Sequence, residues 1–285
     1  MIYFEQQYYE ALQGTLKENL RVAGRNGVIT IKRQKPAHFE INLLREGLPI
    51  LRGKKMFPLK PFIELVWMLQ GKNDLDFLRK YGVNYWDMFD IGDGTIGNSY
   101  GPRLRNFNGF DQLAKAIELL QTDPTSRRIA LSFWNPTDDD NSVVPCYSFI
   151  QFKVINNFIN AYVTQRSGDA FIGVPNDALL FSYLVSLLSY ITGLYVGTVY
   201  YTINDFHIYE DHLPAINTYL NQYEGWFTLY NKVSPFLSLD FQAYEGRASA
   251  DIDELLNVFV ETGFNLTYNF KPYKSNPYIK AKVIK

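Results

Sequence analysis

The spacing of hydrophobic and polar residues along the chain predicts a mixture of helices and strands. Apolar positions over residues 3–18 recur with the spacing of one amphipathic helix, which ends before a loop that contains Gly24 and Gly27. Residues 28–32 and 38–44 alternate with the period of two that is typical of strands. Further helices are predicted over residues 61–70, 74–81, 110–120, 177–190 and 208–219. Further strands are predicted over residues 128–134, 148–155, 159–165 and 194–202.

Residues 84–108 interrupt this pattern with glycines at positions 92, 94, 97 and 101. We predict a long irregular loop here, and such loops in compact chains are often functional. After Trp226 the pattern predicts only weak strands and turns. Because we find no internal repeat, linker or low-complexity segment, we predict a single α+β domain over residues 1–285.

Composition and charge narrow the function by exclusion. The chain has 285 residues, of which 47% are hydrophobic, so it can bury a large core. Its 28 Lys and Arg residues against 29 Asp and Glu residues give a net charge of −1, without the basic excess of a nucleic-acid-binding protein. No apolar run has the length of a membrane span, and we see no signal peptide. We expect a cytoplasmic protein (in the host cytoplasm if it is viral) with no nucleic-acid, membrane or metal partner.

The single cysteine, Cys146, is the main chemical candidate. It cannot form an internal disulfide, so its thiol stays free. A lone cysteine is ordinarily a small buried residue. Here, however, Arg166 and then Asp169 follow a short way downstream. A thiol near a guanidinium and a carboxylate indicates covalent chemistry on an anionic substrate.

A collinear set of short motifs gives this chemistry a context. The motifs are ELVWMLQG (64–71), WD (86–87), YG (100–101), SRRI (126–129), WNP (134–136), PC (145–146), QF (151–152), QRSGD (165–169), GVP (173–175), DFHIY (205–209) and NPYIKAKV (276–283). In this order, over nearly the whole chain, the sequence resembles thymidylate synthases and their relatives, the pyrimidine-nucleotide hydroxymethylases. The resemblance implies an α+β fold with a large curved mixed β-sheet packed with helices, and a homodimer formed sheet against sheet.

The resemblance also implies the reaction. Cys146 would add to carbon 6 of a pyrimidine, which turns carbon 5 into a nucleophilic enamine carbon. Arg166 would favour the thiolate. Glu64, through ordered water, would provide acid–base help, and the Tyr100 hydroxyl would assist proton removal. The one-carbon donor would be 5,10-methylenetetrahydrofolate.

Binding residues are carried over from the same resemblance. Arg127 and Arg128 would reach the phosphate of the partner subunit's nucleotide, since guanidinium groups suit phosphate oxygens. Arg166 and an N-terminal arginine, Arg25 or alternatively Arg21, would bind phosphate within the chain. Nucleotide binding is further assigned to Gln165, Ser167, Asp169, Asp177, His207 and Tyr209. Folate binding is assigned to Trp86, Asp169, Gly173 and Asn176.

Asp177 is the main departure from the synthases. Enzymes of this family that act on uracil carry an asparagine here, whose amide donates to O4 and accepts from N3–H. A carboxylate instead accepts from the 4-amino group of cytosine and shares a proton with N3. It therefore disfavours uracil. Cytosine-specific relatives also carry Asn-Asp at this point, as Asn176-Asp177 does. In the alternative interpretation, Asn176 takes over the amide role after a local shift.

Three smaller departures alter the folate side of the cavity. Tyr147 replaces a histidine, Asn176 replaces an aromatic residue, and Lys285 extends the C-terminus. These changes are compatible with water, rather than hydride, finishing the reaction. We therefore predict a CMP or dCMP 5-hydroxymethylase. The alternatives are synthesis of dTMP from dUMP, or 5-methylation of dCMP. A nucleotide-binding module without chemistry would be expected to lose Cys146 or the arginines, which are all present.

Overall fold

The computed structural model describes residues 3–24, 27–138, 143–230, 237–240, 252–261, 264 and 267–270. The helices are α1 Phe4–Glu18, α2 Leu43–Glu46, α3 Leu59–Leu69, α4 Leu75–Lys80, α5 Tyr100–Asn106, α6 Gln112–Thr122, α7 Gly173–Thr192, α8 Leu213–Tyr230 and α9 Ile252–Glu261, with short 3-10 turns at Asp87–Phe89 and Glu210–His212. The strands are β1 Leu20–Ala23, β2 Ile29–Lys32, β3 Ala37–Asn42, β4 Ala130–Ser132, β5 Tyr147–Ile155, β6 Phe158–Asp169, β7 Tyr195–Tyr209, β8 Leu237–Asp240 and β9 Thr267–Phe270.

A mixed sheet of seven strands organises the described residues. Its order is β1-β2-β7-β6-β5-β4. Strand β3 pairs with residues 198–203 of β7, on the same edge of β7 as β2. Strands β6 and β7 run parallel, while the remaining pairs of this sheet are antiparallel. Strands β8 and β9 form a separate pair. The α+β class with a large mixed sheet packed with helices is thus confirmed.

Helix α7 is the central core helix. It packs against α3 and against β6 and β7, and most of its residues are buried. We expected no segment with the length and apolar composition of a membrane span, but α7 has both. However, 78% of its most apolar stretch is buried inside the protein. Burial on several sides therefore explains why α7 is hydrophobic all round.

A tight turn sets the register that places the cysteine. Asn156 and Asn157 join β5 to β6 with φ values of 51° and 66°. Asparagine tolerates this left-handed region better than most residues, and two such residues in succession suit a two-residue hairpin. This turn fixes the register as far as Phe149, which pairs with Thr164, and an irregularity between Tyr147 and Phe149 then pairs Tyr147 with Gln165. The loop that ends at Cys146 therefore lies beside Arg166, in the C-terminal half of β6.

Several element predictions were wrong at their ends. The strand predicted to Leu44 stops at Asn42, because the Asn42 side chain accepts from the Arg45 backbone N–H over 2.9 Å and caps α2. The helix predicted from Ile208 begins only at Leu213. Residues up to Tyr209 stay in β7 because they pair with β2 and, through position 207, with β6. Pairing with neighbouring strands overrides the local pattern.

Other predictions missed whole elements. Strand β1 is exposed along its length, so it lacks the alternation that would mark it. Helix α5 lies inside the segment predicted as irregular. Gly101 lies in the first turn of α5. A Cβ at this position would approach the Lys72 carbonyl oxygen to 2.1 Å, so a residue without a side chain is needed. This glycine reflects close packing, not a loop. Beyond Trp226, α8 continues to Tyr230 and α9 follows, where only weak strands and turns were predicted.

Candidate active site

Cys146 lies in the loop immediately before β5, where its thiol is free and half-buried. Arg166, on β6, fixes this loop. Its backbone N–H donates to the Cys146 carbonyl oxygen over 2.8 Å. Its guanidinium donates to the carbonyl oxygens of Pro145 and Val144, the two residues before Cys146, over 3.0 Å each. These bonds position the thiol relative to the sheet.

Tyr100, at the start of α5, approaches the same loop from the other side. Its hydroxyl accepts a hydrogen bond of 2.7 Å from the Cys146 backbone N–H. Burial raises the pKa of the Cys146 thiol and the Asp177 carboxylate raises it further, whereas Arg166 and Tyr100 lower it. The charge of Arg166 therefore favours the thiolate, but burial outweighs its effect.

Glu64 is a buried carboxylate on α3, with only 6% of its surface exposed. Its Oε2 accepts a hydrogen bond from the Tyr85 hydroxyl. Burial raises the pKa of Glu64 to about 7; the Tyr85 hydroxyl opposes this rise, Asp177 adds to it, and the nearby Trp86 indole also opposes it. A carboxyl group that changes protonation near neutral pH suits general acid–base chemistry. Glu64 is therefore not an ordinary solvent-exposed residue of α3.

Asp177 is the fifth residue of α7 and belongs to a hydrogen-bonded network. Its Oδ2 accepts from Gln165 Nε2 at 3.0 Å and from the Tyr201 hydroxyl at 3.4 Å. Gln165 Nε2 also donates to the Ser167 carbonyl at 2.8 Å, and its Oε1 accepts from Tyr201 at 2.6 Å. Burial raises the pKa of Asp177 to about 7, the two donors oppose this rise, and the charge of Asp169 adds to it. The Gln165 amide thus faces inward and positions Asp177.

Asn176 has a different environment. Its Nδ2 donates to the Ile172 carbonyl oxygen, four residues back along the chain, over 3.0 Å. This hydrogen bond is exposed to solvent. Asp177, in contrast, acts electrostatically on both Glu64 and Cys146. This contrast favours Asp177 over Asn176 as the residue that faces a pyrimidine bound near the thiol.

Three of the predicted binding residues, Asp169, His207 and Tyr209, lie at the carboxyl ends of β6 and β7. Asp169 pairs in register with His207. The His207 ring packs edge-to-face on Tyr209 with centroids 5.1 Å apart. The Asp169 carboxylate accepts from the backbone N–H groups of Phe171, Ile172 and Gly173 at 3.0, 3.0 and 3.3 Å. Asp169 therefore stabilises the start of α7, and the ligand-binding roles of these residues stay predictions.

The structure does not bring all predicted arginines together. Arg127 and Arg128 lie on an exposed turn between α6 and β4. The Arg127 carbonyl accepts from Gln151 at 3.1 Å, and Gln151 is five residues beyond Cys146, or about 17 Å along the chain. Arg21 pairs with Glu210. Arg25, Lys285 and the motif at 276–283 lie outside the described residues.

Three residues near the cluster were missed by the sequence analysis. Tyr85 contacts Glu64 and Tyr201 contacts Asp177, as described above. Lys54 donates to the Phe171 carbonyl. Burial lowers the pKa of Lys54 to about 8, while Asp169 opposes this shift. Local sequence carries no signal for Tyr201 or Lys54, and only its position next to Trp86 marks Tyr85. Among the residues whose placement is described, no group of three or more His, Cys, Asp or Glu could hold a metal ion.

The fold and the comparison with known families agree. The family model for thymidylate synthase matches residues 6–243, well over half of the 285-residue chain. This match defines the protein as a one-carbon transferase of nucleotide biosynthesis. The chain belongs to the thymidylate synthase family, whose members use methylenetetrahydrofolate and bind a nucleoside monophosphate.

Proposed function

We propose that this protein is a cytidylate 5-hydroxymethylase, with CMP or dCMP as its substrate and 5,10-methylenetetrahydrofolate as its one-carbon donor. The family supports one-carbon transfer to carbon 5 of a pyrimidine nucleoside monophosphate. The choice of cytosine rests on Asp177. The choice of water as the final nucleophile rests on the substitutions on the folate side, Tyr147 and Asn176.

The environment of Asp177 is the observation that carries the proposal. Its pKa is raised to about 7, so the carboxyl group exists in both protonation states near neutral pH. Because Oδ2 already accepts from Gln165, Oδ1 is the oxygen that has none of the hydrogen bonds described above. A carboxyl group in this state can share one proton with N3 of cytosine and accept from the 4-amino group. It has no fixed donor for O4 of uracil, which disfavours that base.

Cys146 then serves as the nucleophile. Its thiolate adds to carbon 6, and protonation at N3 through Asp177 draws electrons from the ring and assists this addition. Carbon 5 becomes nucleophilic and bonds to the one-carbon unit. Glu64, with its pKa of about 7, accepts the proton from carbon 5 through an ordered water. After folate leaves, water adds to the exocyclic methylene carbon, and release of Cys146 gives the hydroxymethyl product.

The open face of the sheet supports a homodimer. Trp134, Phe149 and Tyr200 are exposed by 47%, 41% and 37%, and Tyr162 and Tyr200 stack with centroids 4.9 Å apart. Exposed aromatic side chains on one face are typical of a surface that a partner covers. In such a dimer the exposed Arg127 and Arg128 would complete the partner's phosphate site. A monomer in light scattering at micromolar concentration would contradict this part of the proposal.

Product masses test the function directly. The protein is incubated with methylenetetrahydrofolate and, separately, with CMP, dCMP and dUMP. Conversion of a cytidylate with a gain of CH₂O is the expected result. A gain of CH₂ on dCMP would indicate a methyltransferase. Efficient conversion of dUMP to dTMP, with dihydrofolate formed and cytidylates ignored, would make the protein a thymidylate synthase and overturn the proposal.

A further inference from the structure

Tyr85 is placed to control the candidate base without touching the reacting carbon. It lies in the loop between α4 and the 3-10 turn at Asp87–Phe89. Its hydroxyl donates to Oε2 of Glu64. Burial and the charge of Glu64 raise the pKa of Tyr85 well above its ordinary value. The phenol therefore stays protonated near neutral pH and acts only as a donor to the carboxylate.

The next residue supplies a second donor on the same side. Trp86 is only 9% exposed, and its buried indole N–H meets the geometric criteria of a hydrogen bond with none of the described residues. The Trp86 indole also lowers the pKa of Glu64, as a donor near a carboxylate does. The Trp86 ring is held between Trp67 and Tyr100, with centroids 5.8 Å and 5.6 Å away. A buried donor without a partner calls for a polar group such as water.

We propose that Tyr85 is a positioning residue for Glu64: it occupies Oε2, so that Oε1 and the Trp86 N–H together face the reacting side and bind the water through which Glu64 works. This inference rests on the proposed one-carbon transfer. The hydrogen bond from Tyr85 fixes the carboxylate plane, and it also favours the ionised, basic form of Glu64. Among the described residues, the other titratable groups that interact electrostatically with Glu64 include Asp177 on α7, Tyr100 on α5 and Tyr147 on β5.

The test removes one oxygen atom with Tyr85→Phe. We expect kcat/KM to fall about tenfold, because a hydrogen bond to a charged group is lost. The acid limb of the kcat/KM profile should move to higher pH, since Tyr85 lowers the pKa of Glu64 in the wild type. Nucleotide affinity, measured by tryptophan fluorescence, should stay within about twofold, because Tyr85 contacts the base catalyst and not the nucleotide sites.

A matched control separates this role from general packing. Tyr183 is a buried tyrosine whose hydroxyl donates to the Pro58 carbonyl at 2.9 Å. Tyr183→Phe should leave the pH profile unmoved. Once Glu64→Gln has removed the titrating group, adding Tyr85→Phe should cause no further loss of activity. An unmoved acid limb in Tyr85→Phe, or additive losses in the double variant, would overturn the role of Tyr85.

The outcome is distinguishable from failure of the proposed function. Glu64 serves the reaction on cytosine and on uracil alike, so the profiles are measured with whichever pyrimidine nucleotide the wild type converts. If the wild type converts dUMP and the acid limb of the kcat/KM profile shifts in Tyr85→Phe, the positioning role of Tyr85 stands. Only the assignment of cytosine as the substrate base then fails. If the wild type converts no pyrimidine nucleotide, the proposed function and the inference both fail.

Discussion

Replacement of Asp177 by asparagine tests the base assignment most sharply. Gln165 decides how the new side chain is oriented. One of its amide protons is donated to the Ser167 carbonyl and the other to Asp177 Oδ2 at 3.0 Å, so it meets position 177 only as a donor. The asparagine carbonyl must therefore occupy the place of Oδ2. Its NH₂ group then replaces Oδ1 and faces the pyrimidine.

This orientation sets the sign and the size of the effect. The NH₂ group of Asp177→Asn opposes the 4-amino group of cytosine, donor against donor, whereas it can donate to O4 of uracil. Loss of a hydrogen bond to a charged group costs about 1.5–3 kcal/mol. Since about 1.4 kcal/mol is a factor of ten in rate, kcat/KM for the cytidylate should fall about 10- to 100-fold. Activity on dUMP should rise.

The assay is product mass after turnover of cytidylate and dUMP in competition, so that the ratio of kcat/KM values is obtained directly. Asn176→Ala is the matched control. Its amide is bonded to Ile172 on the exposed side of α7, so the ratio should stay within about threefold of wild type. If Asp177→Asn leaves the ratio unchanged while Asn176→Ala alters it, Asn176 reads the base and the reasoning is refuted.

The remaining predictions concern the nucleophile, the packing and the pH dependence. Cys146→Ser should retain nucleotide binding but lose turnover and release of tritium from carbon 5, because a hydroxyl is far less nucleophilic near neutral pH; retained tritium release would contradict the covalent mechanism. Gly101→Ala should lower the free energy of unfolding by about 1–3 kcal/mol, since its Cβ would collide with the Lys72 carbonyl at 2.1 Å; in urea unfolding, Gly14→Ala in α1, where the nearest atom is 3.9 Å away, should be neutral or stabilising. The folded state raises the pKa of Asp177 from 3.8 to about 7, so this group favours folding below pH 4 and loses that contribution as pH rises toward 7. The difference in unfolding free energy between pH 5 and pH 8 should therefore be smaller in Asp177→Asn, and an unchanged difference would show that the Asp177 pKa is not raised.

The sequence alone was sufficient to predict features that depend on neighbouring residues or on the type of a side chain. The helical spacing over residues 3–18 predicted α1 closely, and the alternation over residues 38–44 predicted β3 apart from its ends, because one face of each element is buried. The collinear motifs predicted the family, since a long ordered set of residues is far more specific than any single motif. The departure at Asp177 was also visible in the sequence, because the chemical type of a side chain does not depend on the fold.

Tertiary structure decided what depends on distant neighbours. Strand β7 runs on to Tyr209 because β2 and β6 pair with it, and glycine is required at position 101 because the Lys72 backbone leaves no room for a Cβ there. The pKa values of Glu64 and Asp177 rise because packing buries Glu64 and reduces the hydration of the partly buried Asp177. Likewise, Tyr85 donates a hydrogen bond to Glu64 although the two residues are 21 positions apart in the sequence. Side-chain partners and protonation follow from burial and three-dimensional proximity, which local spacing along the chain does not encode.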